Sequence, residues 1–120
     1  MTLVEFVPPT PHPLWTLCRQ MGIDDVVVKV NPLLTGLPDP WRLETLKRIV
    51  DRLAEAGLRV VGLEGDPFDM SPIKEYGATG SGYAWRDRED ALDRYCELIG
   101  ALGALDIHLL CYNFMVGTGW

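Results

Sequence analysis

The apolar residues of this 120-residue chain change spacing repeatedly between strand-like runs and helix-like stripes. Short apolar runs begin near residues 3, 26, 59 and 107, and an amphipathic stretch separates each run from the next. The order strand, helix, strand, helix, strand, helix, strand is typical of βαβ units and a parallel sheet. Right-handed crossovers place all three helices on one side of the sheet if the strands keep their sequential order.

The apolar runs predict four strands, over residues 3–7, 26–30, 59–64 and 107–112. Pro8 and Pro9 end the first strand because proline cannot donate to a β-ladder. The second run, Val-Val-Val-Lys-Val, is β-branched and nearly continuous, as in a strand that is covered on both faces.

The three helices are predicted from apolar residues at helical spacing and from their flanking signals. The first covers residues 14–21, and Gly22 follows as a C-cap. The second is predicted to begin with Asp39 as N-cap and Pro40 at the first helical position, and to end at Gly57. The third runs from Asp87 to residue 102. Residues 70–85 are then a long glycine-containing loop, which in a compact domain is usually functional or disordered.

Two α/β architectures share this order of elements. A doubly wound nucleotide-binding fold usually has a glycine-rich phosphate turn after its first strand, but Pro8-Pro9-Thr10-Pro11 stands there and offers almost no backbone N–H groups. A (β/α)₈ TIM barrel needs about 250 residues. We therefore predict that residues 1–120 form one incomplete domain, the N-terminal half of such a barrel, with four parallel strands and three intervening helices.

Composition excludes several classes of partner. Eleven Lys and Arg against seventeen Asp and Glu give a net charge of −6, which argues against nucleic-acid binding. No apolar run approaches the roughly 18 residues of a membrane span. The three cysteines are an odd number without a Cys-x-x-Cys pair, which favours a reducing cytoplasm over a disulfide framework or a zinc site.

Polar residues follow the predicted strands at the ends where barrels of this class carry their chemistry. They are Asn31 after the second strand, Glu64, Asp66 and Asp69 around the end of the third, and Tyr112 and Asn113 at the fourth. Asn31 and Asp66 each precede a proline, so an ordinary turn residue is the alternative for both. A carboxylate that closes an apolar strand, as Glu64 does, faces either a pocket or a cation.

Several short motifs resemble the mannonate dehydratase family, which has a xylose-isomerase-like barrel. The fourth strand ends in CYNFM at residues 111–115, and the preceding helix contains RYCELI at residues 94–99. The loop after the third strand contains SPIK at residues 71–74, and a Gly-x-Gly-Trp motif occupies residues 117–120. The chain departs from the family between Lys74 and Arg88, where it is longer and richer in glycine.

The resemblance implies a lyase of glucuronate catabolism that removes water from D-mannonate to give 2-dehydro-3-deoxy-D-gluconate. It also implies a divalent metal, Mn²⁺ or Fe²⁺, in the complete enzyme. A metal would act as a Lewis acid on the charge that develops when the proton next to the carboxylate is removed. A base and an acid are needed as well, and no residue is assigned to either role.

By the same resemblance, the substrate-binding residues are expected to be Glu64, Lys74, Tyr112 and Asn113. Lys74 would pair with the substrate carboxylate; alternatively, it lies along apolar surface with its ammonium in water. The family's metal ligands come from later strands, so none is expected here. His12 and His108 are interpreted as structural or surface residues, and Cys111 as a buried apolar residue.

These expectations make the chain an N-terminal fragment of a mannonate dehydratase-like enzyme, inactive alone. Two alternatives remain. One is a non-catalytic half-barrel that assembles with itself as a homo-oligomer or with a separate C-terminal half. The other is a different sugar isomerase or epimerase of the same barrel class, which fold analogy alone does not distinguish.

Overall fold

Four parallel strands form one sheet in the order β1-β2-β3-β4 in the computed structural model, which describes residues 2–113. The strands are β1 (Val4–Val7), β2 (Asp25–Val28), β3 (Arg59–Glu64) and β4 (Leu109–Cys111). The predicted α/β class and parallel sheet are therefore confirmed. The last residues of the CYNFM motif, Phe114 and Met115, and the Gly-x-Gly-Trp motif lie outside the described residues.

Three long helices connect the strands within the described range, as predicted. They are α1 (Pro13–Gln20), α3 (Leu43–Glu55) and α5 (Trp85–Ala104). Two single-turn helices that were not predicted, α2 (Pro32–Thr35) and α4 (Ser71–Lys74), follow β2 and β3. None of the helices in residues 2–113 combines the length and apolar character needed to cross a bilayer.

The predicted start of the second long helix is wrong by three residues. Asp39 has a φ of 47°, in the left-handed region, and α3 begins at Leu43 with Arg42 as N-cap. Pro40 and Trp41 are buried, and the Trp41 ring packs edge-on against Phe68 with centroids 5.2 Å apart. Tertiary packing therefore holds this segment as a connector and overrides the local capping signal.

The predicted loop over residues 70–85 is also partly wrong, because α4 occupies its first part. The remaining ten residues, 75–84, have no helix or strand, and Gly77, Gly80 and Gly82 adopt positive φ there. Two aromatic rings mark the ends of this segment, Tyr76 and Trp85, with centroids 6.3 Å apart. The Arg88 guanidinium lies over both rings, so a cation–π cluster joins the ends.

The core lies between one face of the sheet and the three long helices. The strands direct Val7, Val26, Val28, Val60 and Leu63 into it. Val60 and Leu63 share this face, although they are three residues apart, because the register of β3 against β2 shifts by one residue between them. The helices contribute buried side chains that include Trp15, Cys18, Leu46, Ile49, Leu53, Leu98, Ala101 and Leu102. All three crossovers therefore cover the same face, as right-handed βαβ connections between sequential strands require.

The other face of the sheet is not covered by a helix of the described range, and we call it the open face. It carries a row formed by Phe6, Val27, Gly62 and Leu109, which are partners in strand register. Phe6 is 45% exposed and Leu109 is 49% exposed. A sheet with helices on one side and an apolar second side is consistent with half of a TIM-like barrel.

Candidate functional site

The carboxyl ends of β3 and β4 meet at one edge of the sheet and begin the candidate site. Glu64, the last residue of β3, is the register partner of Cys111, the last residue of β4. The Gly65 N–H donates to the Cys111 carbonyl oxygen over 3.1 Å and extends this pairing by one residue. Since Leu63 points into the core, the exposed Glu64 carboxylate points to the open face.

Lys29, which follows β2, reaches across to the same edge. A β-carbon added at Gly65 would lie 2.9 Å from Cε of Lys29, so the lysine stem passes directly over this glycine. Gly65 also has a φ of +80°, which favours glycine. The sequence pattern places Lys29 only within a strand, and its one distinguishing feature there is its charge in an otherwise apolar run.

Lys74 reaches this edge from α4. The short helix follows Asp69, whose Oδ1 accepts a hydrogen bond from the Ser71 N–H over 3.0 Å. Lys74 Nζ lies 2.6 Å from Oδ2 of Asp66, two residues beyond the end of β3. The Lys74 side chain is only 9% exposed, whereas that of Asp66 is 40% exposed. The ammonium is thus held by a carboxylate and not by bulk water.

Tyr95 adds a phenol from α5 that sequence analysis placed only in an apolar helical stripe. Burial raises the pKa of Tyr95, and the negative charges of ionised Tyr112 and of Asp66 raise it further. Tyr95 therefore lies within electrostatic range of residues that follow β3 and β4. The only earlier signal was a hydroxyl-bearing residue among aliphatic ones in the stripe.

The structure therefore brings several of the sequence-predicted site residues to one edge. Lys74 contacts Asp66, and Glu64 ends the strand that leads to Asp66. Tyr112 follows β4, whose last residue is the register partner of Glu64. Tyr112 is exposed and Asn113 is half-buried, both just after β4. Their roles in binding a substrate stay predictions.

Two other strand-end residues act as helix or turn caps. The Asn31 side chain accepts a hydrogen bond from the Leu34 N–H over 2.9 Å and caps α2, in agreement with its interpretation as a turn residue. Asp69 caps the turn that begins α4. Asp66 differs from both because its carboxylate pairs with the largely enclosed side chain of Lys74.

The two histidines have structural or surface positions, as predicted. His12 caps α1 by accepting a hydrogen bond from the Leu14 N–H, and His108 lies on the surface with its Nε2 2.8 Å from Asp106. The prediction that Cys111 is buried is wrong, because the residue lies at the edge strand β4 and is exposed. In residues 2–113, no three His, Cys, Asp or Glu side chains come together in a metal-binding arrangement.

The opposite end of the strands carries a separate ion pair. Arg59 donates from Nε and Nη2 to the two carboxylate oxygens of Asp25, over 2.7 and 2.8 Å. These hydrogen bonds lower the pKa of Asp25, although burial opposes the shift. The pair joins the amino ends of β2 and β3, where Asp25 and Arg59 are register partners, and it is interpreted as structural.

Comparison with known proteins indicates a distant relation. The chain is 27% identical over 99 residues to a mannonate dehydratase of Brachyspira hyodysenteriae (strain ATCC 49526 / WA1). The matched region covers 82% of this chain and 25% of that enzyme, so the chain spans about a quarter of the length of this curated relative. No family model matches the chain.

Proposed function

We propose that this chain forms part of the sugar-acid pocket of a mannonate dehydratase-like hydro-lyase, as a single incomplete barrel domain over residues 1–120. The reaction converts D-mannonate to 2-dehydro-3-deoxy-D-gluconate and water. The distant relative and the α/β fold support this proposal. The observation that carries it is the nearly buried Lys74 ammonium beside polar strand ends, because such a cation suits a carboxylate ligand. The free cysteines support a cytoplasmic setting.

Each site residue has a role in this proposal that its chemistry allows. Lys74 pairs with the carboxylate of the sugar acid. Glu64 accepts hydrogen bonds from sugar hydroxyls, and Tyr112 and Asn113 donate or accept them. These residues bind and orient the substrate, and the acid and base of the elimination are not assigned to any of them.

The described residues do not fit the Mn²⁺ or Fe²⁺ of the complete family enzyme, because no group of three donor side chains comes together in residues 2–113. We propose that the 120-residue chain alone does not dehydrate D-mannonate, even when either metal is supplied. Formation of 2-dehydro-3-deoxy-D-gluconate by the purified chain would contradict this statement.

Calorimetric titration with D-mannonate tests the proposed pocket. The unaltered chain should bind D-mannonate more tightly than the uncharged polyol D-mannitol. Lys74→Met should weaken D-mannonate binding by about tenfold or more, since a hydrogen bond to a charged group contributes roughly 1.5–3 kcal/mol. Lys47→Met is the matched control, because Lys47 also pairs with an aspartate but lies on the exposed side of α3. Equal binding of D-mannonate and D-mannitol, or no binding of either, would contradict the proposal.

The open face and the sheet edges favour a second candidate function, a non-catalytic half-barrel. Within the described residues, β1 and β4 each pair on one side only, and both run in the same direction. A second polypeptide half, either another copy or a complementing C-terminal half, would cover the open face and give the eight strands of a filled barrel. The half-exposed Phe6 and Leu109 would then become interior residues.

Light scattering after size-exclusion chromatography tests self-assembly. A homodimer would have twice the 13.4 kDa mass of the chain. Phe6→Gln should shift this dimer toward the monomer. Leu33→Gln should not, because Leu33, although more exposed than Phe6, lies on α2 and not on the open face. A well-folded monomer at all concentrations would contradict self-assembly, and the complementing half would then be the form to test.

A further inference from the structure

In the Lys74–Asp66 pair the cation is the enclosed partner, whereas in the Asp25–Arg59 pair the arginine side chain is 75% exposed and the aspartate is the enclosed partner. The Nζ–Oδ2 distance in the Lys74–Asp66 pair, 2.6 Å, equals that of the Lys47–Asp51 pair on α3. In the α3 pair, both side chains are more than half exposed. In the Lys74–Asp66 pair, the ammonium is almost enclosed, while a large part of the carboxylate reaches solvent.

This asymmetry determines which partner can leave. A nearly buried ammonium needs an anionic partner, because moving its charge out of water without one is costly. The partly exposed carboxylate of Asp66 loses less free energy when the pair breaks, because water can solvate its charge. Lys74 must therefore stay paired, but the anion that pairs with it can change.

The surroundings of the pair suit an incoming ligand with a carboxylate and hydroxyls. Asp66 lies just beyond the strand end that presents Glu64 to the open face. The phenol of Tyr95 lies within electrostatic range of Asp66 and of Tyr112, the residue that directly follows β4. An acid that displaces Asp66 would thus enter among groups that hydrogen-bond to hydroxyls.

We propose that Asp66 is an internal counter-ion that occupies the carboxylate-binding position of Lys74 until a carboxylate ligand replaces it. On binding, the ligand carboxylate pairs with the Lys74 ammonium, and the Asp66 side chain turns to solvent. The identity of that ligand as a sugar acid rests on the function proposed above. Asp66 is then a positioning residue that keeps Lys74 in place in the free chain and lowers the affinity for the ligand by competition.

The proposal predicts a gain of affinity when the competitor is weakened. Asp66→Asn keeps a side chain of the same shape that accepts a hydrogen bond, but it removes the negative charge. D-mannonate should then bind about two- to fivefold more tightly than to the unaltered chain, the range expected when a partly exposed ion pair no longer competes. Asp51→Asn removes the same charge from the α3 pair and should leave the affinity unchanged.

Titrations of the 120-residue chain and its variants with D-mannonate and with acetate test the exchange. Calorimetry measures affinity, and the ¹³Cε resonances of Lys74 and Lys47 report which lysine meets the ligand. The expected result is tighter binding of both acids to Asp66→Asn, with a ligand-dependent shift at Lys74 and none at Lys47. Circular dichroism checks that each variant keeps its fold. If Asp66→Asn does not fold, Asp66→Ser is the second variant that removes the charge.

The outcomes separate this proposal from the proposed function. Tighter binding of acetate without any preference for D-mannonate would keep the counter-ion exchange and refute the sugar-acid pocket. A preference for D-mannonate in the unaltered chain, with no gain on Asp66→Asn, would refute the exchange and keep the pocket. A Lys74 resonance that does not respond to either acid would overturn the exchange outright.

Discussion

At the scale of single residues, the two ends of the sheet use ion pairs differently. At the amino ends, Arg59 meets both oxygens of Asp25 and joins two neighbouring strands. At the carboxyl ends, Asp66 pairs with the largely enclosed Lys74 outside the strands, in the connection that follows β3. The first geometry satisfies both carboxylate oxygens and fits a structural role. The second leaves one carboxylate oxygen without a contact to Lys74.

The lowered pKa of Asp25 predicts a specific acid sensitivity. Its native pKa lies below the ordinary value, so ionised Asp25 stabilises the folded chain. This contribution is complete above the ordinary aspartate pKa of about 4 and is lost as the pH falls through the native pKa. Asp25→Asn should therefore reduce stability at neutral pH and reduce the loss of stability on acidification.

Urea unfolding at neutral pH and near pH 3 measures both effects. Asp25→Asn should unfold at a lower urea concentration than the unaltered chain at neutral pH, and this difference should shrink in acid. Asp51→Asn, which changes an exposed pair on α3, should show little difference at either pH. If Asp25→Asn and the unaltered chain unfold at the same urea concentration at both pH values, the ion pair of Asp25 with Arg59 does not stabilise the fold.

At the scale of elements, sequence patterns predicted the long helices and strands but not their exact bounds. The β-branched run of β2 and the apolar stripe of α3 depend on periodicity and burial, which are visible in the sequence. The start of α3 depends instead on the packing of Trp41 against Phe68, a contact between two loops. Local capping rules do not contain that information.

The sequence likewise predicted only part of the candidate site. The strand-end position of Glu64 follows from the pattern of β3, and Lys74 was predicted through the SPIK motif. The partner of Lys74 was not predictable, because the pairing with Asp66 depends on the unpredicted turn α4 between them. Tyr95 joins the site through the packing of α5, which helical periodicity places only on a buried face.

The contact between β3 and β4 predicts a sharp sensitivity at Gly62. A β-carbon there would lie 2.9 Å from Cβ, Cγ and Cδ2 of Leu109, its partner in register. Cβ cannot rotate away, so the strands must separate. Gly62→Ala should lower the free energy of unfolding by about 1–3 kcal/mol, the usual cost of overpacking.

Gly100 provides the matched control, because it lies inside α5 with no atom within 4 Å of an added β-carbon. Gly100→Ala should raise the free energy of unfolding by about 0.5–1 kcal/mol, since alanine favours a helix interior over glycine. Denaturant unfolding of the two variants measures both changes. The two changes in the free energy of unfolding should have opposite signs. If Gly62→Ala leaves this free energy unchanged, β4 does not pack this closely on β3.

At the scale of the whole molecule, the chain has one covered and one open sheet face. The three long helices bury the side that includes Val28 and Leu63, and the open face presents Phe6 and Leu109. The polar candidate site lies at the carboxyl edge shared by β3 and β4. The proposed pocket therefore lies at one edge of a chain that spans about a quarter of the length of its relative.

The central claim is that this carboxyl edge binds a sugar acid, and mapping the amide resonances of the chain during a D-mannonate titration tests it most directly. We predict that the largest shifts occur at residues 64–66, at Lys74 and at residues 111–113, with small changes at Asp25 and Arg59 on the opposite end. Shifts that cluster at the amino ends of the strands, or a spectrum that D-mannonate does not change, would contradict the account.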